Sequence, residues 1–109
     1  QVELIQQTSD TDSPYRTPEG APILGLHHIA WLTENLDNDV AKAEADGCTT
    51  IFRAENPGTR VAYLTLPDEE GTRIEFIESS ATAELIRSGI VATKEWDGSN
   101  PITVIDFGV

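Results

Sequence analysis

The chain has 109 residues, of which 39% are hydrophobic. That suffices for one domain with a modest core and excludes global disorder. Its 19 acids against 7 bases give a net charge of -12. Such a balance argues against a nucleic-acid partner, whose affinity comes largely from Lys and Arg, and favours solubility.

No apolar run is long enough for a membrane span, and no segment has the basic start and apolar centre of a signal peptide. The single Cys48 cannot form an internal disulfide and fits a reducing compartment, so a cytoplasmic setting is expected. Residue 1 is Gln and the chain contains no Met, which leads to the expectation of a trimmed or partial chain.

In chain order, Gln1 to Gln7 (QVELIQQ) predicts a short strand. Thr8 to Pro22, with three prolines and Gly20, predicts a linker or long loop. Leu26 to Thr33 predicts a strand with His28, Ala30 and Leu32 on one face and His27, Ile29 and Trp31 on the other. Asn35 or Asp37 is placed to cap a helix running to about Asp46, with Leu36, Val40 and Ala43 on one stripe and Gly47 as its stop. Strands are expected at Cys48 to Arg53, Arg60 to Leu66 and Thr72 to Glu78. They are separated by the Asn56-Pro57-Gly58 turn and the acidic turn Pro67 to Gly71. The order is βαβββ. A helix follows from Ala81 to about Trp96, with Trp96 expected as packing bulk. The tail ITVIDFGV reads as one more strand or a docked terminus.

Strand alternation singles out two residues. On TRIEFIE, Ile74 and Phe76 share one face and Glu75 the other. If Ile74 and Phe76 pack on the helix, Glu75 faces the open side, and His28 can face the same way. A Glu or a His on a strand is more often an ordinary surface residue. One imidazole and one carboxylate converging on a concave sheet face would nonetheless suit a divalent metal. Val2-Glu3-Leu4-Ile5-Gln6 also echoes Ile74-Glu75-Phe76-Ile77-Glu78.

Three segments in order, GLHHIAWLTENLDNDVAKAEADG, RVAYLTLP and GTRIEFIE, resemble the vicinal oxygen chelate superfamily. That superfamily includes glyoxalase I, methylmalonyl-CoA epimerase, extradiol dioxygenases and bleomycin-resistance proteins. The chain looks most similar to the methylmalonyl-CoA epimerase branch. The resemblance implies an α+β fold in which a βαβββ module forms part of a cupped mixed sheet. It places a strand and linker at 1–23, the module at 24–80, and a C-terminal helix and tail at 81–109. Matched by motif, it implies His28, Glu75 and Glu3 as ligands of one divalent ion (Zn, Ni, Co, Mn or Fe). Glu3 follows from the similarity of QVELIQ to the last strand of a first module, and His27 is then a flanking residue. Glu75 is also the candidate catalytic carboxylate.

Family members carry two modules, whereas this chain shows one module and one strand. The expectation is therefore a homodimer or a partner supplying the first module, with a vestigial site as the remaining option. The function implied is a metal-dependent isomerase or lyase, epimerase-like, that stabilises an enolate-type intermediate of a small oxygenated substrate. The alternative is a non-catalytic, drug-sequestering-like binding module. An extradiol dioxygenase needs two His and one Glu, and only one His points into the cup. Tyr63 and Arg60 are candidate substrate contacts, or else ordinary strand side chains; Arg73 is a candidate to bind a substrate carboxylate, or else to pair with an acid. No Gly-rich phosphate loop and no nucleophile triad is present.

Overall fold

The computed structural model describes residues 1–69 and 71–106. Within them lie β1 (His28–Leu32), α1 (Leu36–Ala45), β2 (Thr49–Asn56), β3 (Thr59–Thr65), β4 (Arg73–Glu78) and α2 (Ser80–Glu95). The strands form one sheet in the order β1-β4-β3-β2. β1 runs parallel to β4, and the other two pairings are antiparallel. This is the α+β, βαβββ arrangement that the sequence predicts.

Local chemistry sets the elements. The Asn35 side chain accepts the Asn38 N–H and caps α1. Glu78 Oε2 accepts the Leu36 N–H at 2.6 Å, so β4 also satisfies a free donor of the first turn. Gly47, at φ +97, ends the helix in the left-handed region that glycine tolerates. The β2–β3 hairpin closes between Asn56 and Thr59. Its turn carries Pro57 and then Gly58 at φ +96, as a type II turn requires.

The core lies between α1 and one face of the sheet. Leu36 and Val40 of α1 meet Ala62 and Leu64 of β3, with Ala43, Cys48 and Phe76 packed around them. The spacing of Leu36, Val40 and Ala43 is the i, i+4, i+7 stripe of an amphipathic helix. At the start of α1, Asp37 receives Arg53 at 3.0 Å and Arg60 at 2.7 Å, and these bonds hold its carboxyl below the ordinary carboxylate range.

Three expectations change. Gln1 to Gln7 is not a strand: it has no ladder partner among the described residues, and a strand exists only by pairing. Trp96 does not pack as core bulk. It lies just past the end of α2, half-exposed, with its indole N–H donating to the Ser99 carbonyl. The tail shows no strand over 101–106, and 107–109 lie outside the described residues, as does Glu70 of the acidic turn. None of α2 is buried, although Ser79 caps it and accepts from Thr59 on β3.

Leu64 is fully buried at 0% exposure. Leu64→Ala is expected to cost about 2–5 kcal/mol of unfolding free energy, measured by urea denaturation. Truncating exposed Ile90 is expected to change little.

Candidate functional site

The sheet face opposite α1 gathers the site. Tyr63 of β3 pairs in register with Glu75 of β4, and Glu75 with Ala30 of β1. In register across a sheet, paired residues project to the same side. Tyr63, Arg73 and Glu75 therefore share the face of His28, while Ile74, Phe76 and Glu78 take the helix face.

The parallel pairing of β1 and β4 brings two predicted residues together. His28 Nε2 lies 3.0 Å from Glu75 Oε2, and both side chains are only 9% exposed. Glu3 Oε2 stands 3.7 Å from the same nitrogen, but its side chain is 66% exposed on an unpaired segment. Burial pushes the Glu75 carboxyl above its ordinary range. A hydrogen bond from the Tyr63 hydroxyl opposes that shift, and the nearby Glu3 charge adds to it. Burial also lowers the affinity of His28 for a proton, and Glu3 partly restores it.

Tyr63 is held in turn by Tyr15, their hydroxyls 3.0 Å apart. Either hydroxyl of this pair can donate to the other. Burial is the main reason that the Tyr63 phenol is raised far above its ordinary range. The rings of Tyr15, His27, His28, Tyr63 and Phe52 form one edge-on and tilted cluster over the sheet. Tyr15 is the residue that the sequence reading missed. It sits in a stretch that looks like plain linker, and only the hydrophobic ring among turn residues signals that the stretch folds back.

His27 does not share the helix side with Ile29 and Trp31. It precedes β1, escapes strand alternation, and lies against His28 and Tyr15. Arg60 does not join the site. It is three residues from Tyr63 and so faces the helix side, where it binds Asp37 and Glu78. Arg73 is on the cup side. Its Nη1 donates to the Gly71 carbonyl, and its buried Nε has no hydrogen-bond partner among the described residues.

The model of the Glyoxalase/Bleomycin resistance protein/Dioxygenase superfamily matches residues 1–63. More than half of the chain is covered, and the chain belongs to that superfamily. No curated protein and no solved structure matches it. The methylmalonyl-CoA epimerase-like branch is not distinguished by this match.

A metal is a frequent companion of this superfamily. Two ligands on one ion, at bonds of ~2.1 Å and right angles, stand about 3 Å apart. The His28–Glu75 spacing fits that, and imidazole with carboxylate is a common donor pair. Among the described residues, however, no group of three or more His, Cys, Asp or Glu side chains is arranged to hold a metal ion. Glu3 would have to close in, which its unpaired backbone permits.

A carboxyl raised by burial makes the protein more stable when protonated. That contribution is full below the unfolded carboxylate pKa and is lost as pH rises through the folded one. Glu75→Gln removes this loss. Metal-free Glu75→Gln is expected to lose less stability than the wild type as pH rises through the folded carboxyl's titration, measured by denaturant melts across pH.

Proposed function

We propose that this protein is a divalent-metal-dependent isomerase or lyase, epimerase-like, acting on a small oxygenated substrate. The observation that carries the reading is the buried pair His28 Nε2 and Glu75 Oε2, 3.0 Å apart on the sheet face opposite α1. His28, Glu75 and an inward-moving Glu3 would hold the ion. When bound, a divalent cation supplies a Lewis acid for enolate-type negative charge developing on substrate oxygens.

The remaining tasks fall to the chain's own residues. The Tyr63 hydroxyl, held by Tyr15, orients the Glu75 carboxylate. Arg73 offers its guanidinium to a substrate carboxylate at the His28 end of the cup. The ring cluster keeps water off the buried carboxylate. A proton at carbon needs a base near the open side of the site. Glu75 is the buried carboxylate with raised proton affinity, and it serves as that base wherever it is not committed as a ligand.

One module gives half of a cup. Leu4, 94% exposed, and Val2 flank Glu3 on the unpaired segment. A second copy, or a partner bearing the complementary module, would pair that segment as a strand and seat Glu3. The reading therefore includes a dimer or hetero-complex as the active form.

The absence of a ready three-donor group among the described residues favours one other reading, a small-molecule-binding module that works without metal. The two differ in measurable ways. Native mass spectrometry after incubation with Co, Ni, Mn, Zn or Fe(II) is expected to show an assembly carrying one ion per completed cup. His28→Ala and Glu75→Ala are each expected to abolish that ion. The loaded protein is then expected to wash solvent deuterium into the carbon beside a carbonyl in small hydroxy- and oxo-acid derivatives, and chelator is expected to stop it. Ligand binding that is indifferent to chelator and unaccompanied by exchange would establish the binding module instead.

A further inference from the structure

The two histidines are not independent. His27 Nε2 lies 2.6 Å from the Pro14 carbonyl oxygen, and His27 Nδ1 lies 2.9 Å from His28 Nδ1. A carbonyl oxygen only accepts, so His27 Nε2 must carry a hydrogen. In a neutral imidazole the other nitrogen is then bare. His27 Nδ1 therefore accepts, and His28 Nδ1 must donate. With both rings neutral, the nitrogen left without a hydrogen is His28 Nε2, so the hydrogen between it and Glu75 Oε2, 3.0 Å away, belongs to the Glu75 carboxyl and Nε2 accepts it.

We propose that His27 is a positioning residue: through the relay from His28 Nδ1–H to His27 Nδ1, and from His27 Nε2–H to the Pro14 carbonyl, it fixes the tautomer of His28 and aims the Nε2 lone pair into the site, at the Glu75 carboxyl. The assignment of His28 as a ligand rests on the proposed function; the relay itself does not.

The relay explains a local oddity. Adjacent residues on a strand point to opposite faces, yet these two rings meet edge-on with centroids 5.2 Å apart. They meet because β1 begins at His28 and His27 lies before the named strand. The carbonyl that ends the relay belongs to the residue before Tyr15, whose hydroxyl ends the relay holding Glu75. Both facing groups are thus oriented from one short stretch folded over the sheet. Outer partners of this kind fix ring orientation and tautomer at metal-binding imidazoles, and their loss commonly costs 10–100-fold in affinity.

The test is a long-range proton–nitrogen correlation spectrum of the 15N-labelled, metal-free full chain, at a pH where both imidazoles are neutral. The wild type is expected to show His28 as the Nδ1–H tautomer and His27 as the Nε2–H tautomer. In His27→Phe, which keeps a ring but no acceptor, His28 is expected to revert to Nε2–H, the form a free imidazole prefers. Co(II) affinity, read by visible absorption, is expected to fall ~10–100-fold. His27→Asn places an amide oxygen where Nδ1 stood and is expected to restore most of both. A wild-type His28 carrying its hydrogen on Nε2 overturns the proposal, as does a folded His27→Phe with unchanged tautomer and Co(II) affinity. Should His27→Phe fail to fold, the wild-type spectrum and His27→Asn decide. A wild type with the expected tautomers that binds no Co(II) as an assembly overturns the metal-dependent function and the ligand role of His28, leaving the relay as a structural device.

Discussion

Strand β4 serves two masters, and the molecule is arranged around that division. Its even positions belong to the helix. Phe76 joins the core, and Glu78 accepts the first free N–H of α1 while binding Arg60. Its odd positions face away, and Glu75 among them is 7% exposed with no helix to cover it. A carboxylate buried on an open sheet face is costly unless paired and hydrogen-bonded. His28 from the parallel neighbour and Tyr63 from the antiparallel one meet that demand.

The lining that buries Glu75 comes from residues with no regular structure of their own. Tyr15 crosses over the sheet and places its ring on His27 and its hydroxyl on Tyr63. Arg16 then ties the stretch to itself through the Gly20 carbonyl, and a bridge pairs Arg16 with Pro22. The segment is a loop that behaves as a lining wall, which is how loops commonly carry function on a rigid sheet. The wall covers the His28 end of the face. Glu3 reaches the same end from an exposed segment, its carboxylate 3.7 Å from His28 Nε2.

Val2 and Leu4 are exposed, although their pattern is that of a strand. Backbone donors and acceptors need a ladder to become a strand, and the described residues supply none for this segment. The acidic surface fits this picture, since net charge keeps such a chain soluble while saying nothing about its fold.

The sequence by itself determined the order and type of the elements in the module. Leu36, Val40 and Ala43 repeat at helical spacing, Asn35 and Gly47 punctuate the helix, and RIEFIE alternates cleanly, so Glu75 had to oppose Phe76. His28 on the cup side followed from the same period-two rule. Other features depended on who stands next to whom, which no local period encodes. Arg60 falls on the helix side by alternation, but its partners there, Asp37 and Glu78, come from other elements. His27 left the alternation because the strand starts two residues later than its composition suggests. Tyr15 entered the site from a proline-rich stretch some fifty residues away from Tyr63 in sequence, through one hydroxyl contact. Tertiary structure decided these because each depends on a partner distant in the chain, and burial and hydrogen bonding reward that partner only once the sheet has formed.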